Sequence, residues 1–217
     1  MVSVYGASGS PAFVYTSNGG QTWAVASVPS LGVQEQYEVR CDKNGYCIDI
    51  ASGGTDTSVT VTVLRSADYG RTWTASRAYS EPSTQTLQPS CGDGRQCMLV
   101  SNSGYLIQAT ATADGRVTVR RQSMPGVGSR GVGVDVSCAT ARDCFVATNA
   151  VISGYAVIEA THNGGRSWQS LALPKVGGAP LALVALLGCP IRVGCLGLAA
   201  TASQSTGQDR VLISDLP

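Results

Sequence analysis

Thr16-Ser-Asn-Gly-Gly-Gln-Thr-Trp23, Ser66-Ala-Asp-Tyr-Gly-Arg-Thr-Trp73 and Thr161-His-Asn-Gly-Gly-Arg-Ser-Trp168 are three versions of one octapeptide. The pattern is Ser/Thr, any, Asp/Asn, any, Gly, any, Thr/Ser, Trp, and the copies hold all three tryptophans of the chain. This is the chemistry of a hairpin turn. Asp or Asn at the third place folds its side-chain oxygen onto backbone N–H groups two residues on. Gly at the fifth place supplies a positive φ at little steric cost. The Ser and Thr hydroxyls satisfy further backbone groups. The Trp opens the outgoing strand, burying a large apolar area while its N–H requires one partner.

A second marker recurs in step with the first. Eight cysteines form four C-x5-C pairs: Cys41/Cys47, Cys91/Cys97, Cys138/Cys144 and Cys189/Cys195. Successive pairs begin 50, 47 and 51 residues apart. Asn18 and Asp68 are 50 apart, and Asn163 lies 95 beyond Asp68. Halving that last interval predicts a missing copy, and Thr112-Ala-Asp-Gly-Arg-Val-Thr-Val119 stands there with Asp114 in place. Its Gly is displaced by one position, and Val119 replaces Trp. Two markers sharing one period define an internal repeat whose length suits a four-stranded propeller blade.

Each unit divides into four strands. In the second unit they cover 37–41, 47–51, 58–66 and 72–77. Val59, Val61 and Val63 alternate there against Thr60 and Thr62, the period of a half-buried strand. The third unit predicts strands over 87–91, 97–101, 105–111 and 117–122. The fourth predicts them over 132–138, 144–149, 155–161 and 167–173. The first and last units hold three strands each, and Ser214 begins a truncated copy of the octapeptide. The expectation is an all-β chain of 18 strands in a single domain, 1–217. The units run roughly 1–30, 31–80, 81–125, 126–174 and 175–217. A small propeller of five blades is the simplest closure, with incomplete terminal blades. A piece of a larger propeller, or half of a ring completed by a second chain, is the alternative.

Composition narrows the class. Charged residues are only 13% of the chain against 43% hydrophobic, and 26 glycines suit a protein with many turns. A net charge of +1 gives no footprint for nucleic acid. The most apolar run, 179–188, is too short to span a bilayer, so no membrane insertion is expected of this segment. The start of the chain lacks the basic residues and apolar core of a signal peptide, so an exported protein would carry its signal outside this sequence. An even cysteine count in matched short pairs points to disulfides and an oxidising, extracellular or cell-surface setting. The alternative is zinc held by thiolates of two pairs. Pairs on different blades argue against that, and no metal or cofactor is expected.

The octapeptide resembles the Asp-box, the turn motif of sialidases and many other β-propellers. The matching residues are Asn18, Gly20 and Trp23; Asp68, Gly70 and Trp73; Asp114; and Asn163, Gly165 and Trp168. The resemblance implies a propeller whose Asp-boxes are folding elements at the blade edge, away from any active site. The C-x5-C pairs are similar to those of secreted actinobacterial repeat proteins.

In an up-and-down blade the first and third turns share one end with the disulfides, and the second turns and inter-blade connections share the other. The first turns have a constant five-residue interior, whereas the opposite end varies between copies. Variable loops on a common scaffold are where function is grafted. The binding candidates there are Asp56, Arg77, Tyr79, Glu81, Arg120, Arg121, Arg130, Asp209 and Arg210. Catalytic constellations are weaker. The sialidase Arg-Ile-Pro motif is absent, its nearest string being Pro190-Ile-Arg-Val193 inside a cysteine pair. Asp42, Asp68, Asp93, Asp114 and Asp143 belong to turns, and the one histidine, His162, lies in an octapeptide, which speaks against a Ser-His-Asp site. The function expected is a non-enzymatic recognition or scaffold domain for a protein or glycan. The alternatives are a sialidase-like glycan hydrolase and a sensor module tethered within a larger membrane protein.

Overall fold

The computed structural model describes residues 2–5, 11–29, 38–55, 58–81, 89–101, 104–112, 114–124, 131–150, 155–175, 177–188, 196–201 and 211–213. Among these every regular element is a β-strand, and every sheet pairing is antiparallel. The first sheet holds β1 (Val2–Tyr5), β2 (Pro11–Tyr15) and β3 (Ala24–Val25). The second holds β4 (Arg40–Cys41), β5 (Cys47–Thr55), β6 (Ser58–Ser66) and β7 (Thr74–Glu81). The third holds β8 (Ser90–Asp93), β9 (Gln96–Val100), β10 (Tyr105–Ala111) and β11 (Val117–Ser123). The fourth holds β12 (Gly131–Cys138), β13 (Cys144–Ala150), β14 (Ala156–Thr161) and β15 (Gln169–Leu171). The fifth holds β16 (Leu181–Gly188), β17 (Leu196–Thr201) and β18 (Val211–Ile213).

Strands pair in chain order within each sheet, and consecutive sheets pack face to face. This is the architecture of a β-propeller. The cores lie between sheets. Phe13 and Ala26 of the first meet Ala51, Leu64 and Trp73 of the second. Ile48, Ile50, Val61 and Val63 of the second meet Leu99 and Ile107 of the third. Met98, Val100 and Leu106 of the third meet Val136 and Val146 of the fourth. Phe145, Ala147 and Ile158 of the fourth meet Leu181 of the fifth. The period-two alternation produces this: successive residues point to opposite faces, and each face is roofed by a different neighbour.

Several strand bounds differ from the sequence reading, and one of them moves candidate residues. β7 continues to Glu81, so Arg77, Tyr79 and Glu81 lie in the outermost strand of the second sheet instead of a connecting loop. Register with β6 is kept across a shift between Val61 and Thr62, which carries the pairing past the predicted end at 77. Arg120 and Arg121 sit within β11, inside the predicted strand 117–122, paired with Gln108 and Ile107. Asp56, Arg130, Asp209, Arg210, Cys189, Cys195 and Ser214 lie outside the described residues.

Candidate functional site

The end of the molecule that carries the octapeptides is built from turns that fasten one another. Asp68 accepts hydrogen bonds at Oδ1 from the backbone N–H of Arg71 (3.1 Å) and Thr72 (2.9 Å), and at Oδ2 from the Thr72 hydroxyl (2.6 Å). Asn18 and Asn163 receive the same backbone bonds from Thr22 (2.9 Å) and Ser167 (3.0 Å). The acid therefore reaches three and four residues on, not two. The two-residue step belongs to the first hydroxyl: the Asp68 N–H donates to Ser66 Oγ, which also accepts from the Gly70 N–H. Gly20, Gly70 and Gly165 have positive φ, and so does the fourth place of every copy, including Tyr69 at 60°. Two consecutive residues at positive φ give the turn the twist of a tight antiparallel hairpin.

The tryptophans differ in burial. Trp73 is 4% exposed and donates to the Gly70 carbonyl (3.0 Å). Trp23 makes the matching bond to Gly20 (3.1 Å) yet is 49% exposed. Trp168 Nε1 is buried without a hydrogen-bond partner among the described residues, and the Gly165 carbonyl accepts instead from Gln122 Nε2 of the third sheet (3.3 Å). The Asp114 copy forms a shorter turn. Its strand pairing resumes at Ala111 and Val117, six residues apart, and Thr112 bonds Asp114 and the Arg116 carbonyl.

Three disulfides, Cys41–Cys47, Cys91–Cys97 and Cys138–Cys144, join directly paired residues of the first two strands of their sheets. The hairpins they close stack on one another. A Cβ on Gly94 would lie 2.0 Å from Tyr46 O, and one on Gly92 would lie 2.0 Å from Thr140 O. Arg95 bridges back to Asp42 at 3.3 Å and lies 4.6 Å over the Tyr46 ring. The octapeptide turns dock on the same hairpins: Tyr69 N–H donates to Gly45 O (2.9 Å), and Gly164 N–H donates to Arg142 O (3.0 Å). His162 Nδ1 lies 2.9 Å from Asp143 Oδ1. The Thr140 hydroxyl, then His162, hold the Asp143 carboxyl below its ordinary range. A crevice of about 10 Å³ between Tyr46, Arg65, Ser66, Arg95 and Thr112 has room for about one water. This end is consumed by its own contacts.

The opposite end presents side chains. There the tertiary structure brings Tyr79 and Arg121 together, from outermost strands of adjacent sheets. The Arg121 guanidinium lies 5.2 Å from the Tyr79 ring centre and 3.3 Å from that of Tyr105. Tyr105 is a residue that sequence reasoning missed. It opens β10 directly after Gly104, and its place at the head of a predicted strand was the signal the sequence offered. The attraction is that of a cation for the electron-rich ring face. Arg121 and Arg120 are both exposed, and they point to opposite faces of β11 because they are adjacent. The backbones of Arg77 and Glu81 place them in β7 on either side of Tyr79.

Two carboxylates meet in the second sheet. Asp49 is wholly buried on β5 and accepts the Glu38 N–H at Oδ1 (2.8 Å), while its Oδ2 has no partner among the described residues. Burial, reinforced by the Glu38 charge, pushes the Asp49 carboxyl up to about 8. Burial raises Glu38 as well, against the pull of Arg40 at 3.2 Å. The Asp49 side chain is wholly covered by the protein around it. Its bond to the Glu38 N–H ties down the approach to β4. Glu159, also buried, accepts the Ser170 hydroxyl (2.5 Å) within the fourth sheet. No cluster of three or more His, Cys, Asp or Glu side chains suited to a metal occurs among the described residues. Nor is any helix among them long and apolar enough to cross a membrane.

No protein-family model matches the chain. No curated protein matches it by sequence. Solved propeller structures do match. YCF48 from Cyanidioschyzon merolae superposes with a TM-score of 0.52 at 18% identity, over 92% of this chain and 63% of that one. A YCF48 bound to D1 peptide gives a TM-score of 0.37 at 13% identity, over 91% and 74% of the two chains. The Cps50 (Swd1) β-propeller domain of Myceliophteria thermophila gives 0.42 at 13% identity, over 89% and 61%. The chain thus spans 63% of the length of the Cyanidioschyzon protein, and that likeness is one of fold.

Proposed function

We propose that this chain is a non-enzymatic recognition or scaffold propeller, working in an extracellular or cell-surface setting. It binds a protein or glycan through the end opposite the disulfide hairpins. The observation that carries the reading is the Tyr79–Arg121–Tyr105 stack. Tyr and Arg are the side chains that concentrate binding energy at interfaces. The two rings hold the guanidinium in place, so little rotamer entropy is left to lose when a ligand is engaged. The hairpin end has its donors and acceptors spent on other turns, which leaves it few groups to offer a ligand. The octapeptides act as Asp-boxes, closing each blade, and the disulfides suit an oxidising compartment.

The test is a glycan array together with a pull-down from surface extracts, using the full chain and a Tyr79→Ala, Arg121→Ala double variant. The bound glycan or protein is expected to be lost from the variant by about tenfold or more in affinity. A ligand retained undiminished by the double variant refutes this site.

A further inference from the structure

The three described disulfides are not equally covered. Cys47, Cys91, Cys97, Cys138 and Cys144 are each 7% exposed or less, whereas Cys41 is exposed. The difference lies in the packing between sheets. Cys91 joins Ile48, Ile50 and Val61 in the core between the second and third sheets. Cys138 joins Met98 and Leu106 in the core between the third and fourth. The matching place for Cys41 is the core between the first and second sheets. Cys47 enters that core with Phe13, Ala51 and Leu64, but Cys41 stays outside it. One end of this bridge is therefore open to solvent, and the other is not.

The same bridge carries a larger share of its hairpin than the others do. β4 pairs with β5 at two positions, Arg40 with Ile48 and Cys41 with Cys47. β8 pairs with β9 at three, and its Ser90 Oγ also accepts the Cys138 N–H (3.0 Å). β12 pairs with β13 at seven. Besides the bridge and its short ladder, residues 38–41 are held by the Glu38 N–H bond to Asp49 and by Arg40 Nε, which donates to the Cys91 carbonyl (3.3 Å). Segments with so few attachments open first. The hairpin in turn supports its neighbours. Gly45 O accepts the Tyr69 N–H of the octapeptide turn, and Arg95 of the third sheet reaches Asp42.

We propose that Cys41–Cys47 is a thiol-exchange site. A small-molecule thiol opens it at Cys41, while Cys91–Cys97 and Cys138–Cys144 stay closed, and the hairpin at 42–46 is released. The incoming thiolate attacks Cys41 Sγ, forming a mixed disulfide there. The Cys41–Cys47 bond breaks, and its electron pair leaves on the Cys47 sulfur, which takes up the proton the incoming thiol has lost. A second thiol then attacks the sulfur of the bound thiol and frees Cys41. In sum the protein disulfide is reduced by two electrons, and two thiols are oxidised to one disulfide. Access decides which sulfur is attacked, and burial denies it to Cys47 and to the other two bridges. The proposed ligand site lies at the other end of the sheets, so the outcome here leaves it untouched.

The test uses the full, disulfide-bonded chain with reduced glutathione in native buffer. Samples are quenched in acid at intervals, alkylated and mapped by mass spectrometry. Cys41 and Cys47 are expected to become labelled about tenfold faster or more than the other two described pairs, with bound glutathione found on Cys41 and not on Cys47. In the same samples, hydrogen exchange of the Tyr69 amide should accelerate. The Gly164 amide, which docks in the same way on the hairpin of the Cys138–Cys144 bridge, should keep its rate. Single variants check the polarity: the lone Cys41 thiol of Cys47→Ser should react with oxidised glutathione, and the lone Cys47 thiol of Cys41→Ser should not. Equal opening of the three bridges overturns the proposal, as does prior opening of either buried bridge. Glutathione found on Cys47 also overturns it, as does an unchanged Tyr69 amide once Cys41–Cys47 is open. The parent chain alone gives these readings, whether or not the variants fold.

Discussion

The third residue of the Trp-bearing octapeptides is Asp in one and Asn in two, and the bonds explain why both serve. The common requirement is one side-chain oxygen that accepts the N–H four residues on, which Asn18, Asp68 and Asn163 all supply. The second atom of the head group differs in sign. Asp68 Oδ2 accepts from the Thr72 hydroxyl, whereas Asn18 and Asn163 Nδ2 donate to Thr22 and Ser167. A hydroxyl accommodates either by rotating. Asp68→Asn should therefore cost little, below about 0.5 kcal/mol, while Asp68→Ala strands two backbone donors and should cost about 1–2 kcal/mol. Urea unfolding of the two variants beside the parent checks the ranking; equal losses would show that the carboxylate charge, not the acceptor geometry, is what the turn uses.

At the level of elements, the disulfide hairpins matter as a stack and not as separate staples. Each bridge closes a short loop and contributes about 2 kcal/mol in the chain-entropy model. Their larger consequence is to hold narrow hairpins whose backbones touch across sheets. Gly94 permits this, because a side chain there would meet Tyr46 O and Asp42 N at 2.0 and 2.4 Å. Gly94→Ala should cost about 3 kcal/mol or more, since neither contact is with a side chain that can move aside. Gly177 makes a control: its φ is 58° but nothing lies within 4 Å, so Gly177→Ala should cost only about 1 kcal/mol of backbone strain. Thermal unfolding midpoints of the pair separate contact from conformation. Similar shifts for both would mean that the hairpins do not pack as tightly as the backbone distances require.

For the whole molecule, the carboxyls divide into two groups with opposite effects on stability. Burial raises the Asp68 carboxyl, but the Thr72, Ser66 and Arg71 bonds outweigh it and leave the group below 3.8. Asp143 is lowered too, through Thr140 and His162. Groups of this kind stabilise above the unfolded value and lose that contribution as pH falls through the folded one. Asp49 does the reverse. Held at about 8, it keeps its proton where the unfolded chain has released it, so its contribution is complete below 3.8 and lost as pH rises toward 8. The Asp49 contribution should therefore decline as pH rises from about 4 toward 8. Asp49→Asn keeps the acceptor for the Glu38 N–H without a titrating group, and should flatten that decline. Denaturant midpoints at a series of pH values measure it, and an unchanged slope in the variant would sink the assignment.

The amino-acid sequence by itself determined the all-β class, the repeat and the division into sheets. Those features rest on local chemistry that recurs: a turn acceptor, positive-φ glycines, paired cysteines and period-two alternation. Three of the four cysteine pairs are seen as disulfides within one hairpin each, and the fourth lies outside the described residues. Only the tertiary structure decided which side chains meet. Tyr79, Tyr105 and Arg121 come from two sheets and three strands, so no spacing in the chain announces their stack. The same holds for Trp23 and Trp73, which share an octapeptide pattern and differ about tenfold in exposure. A turn is specified by the eight residues that form it, but burial is specified by the neighbour that the next sheet brings.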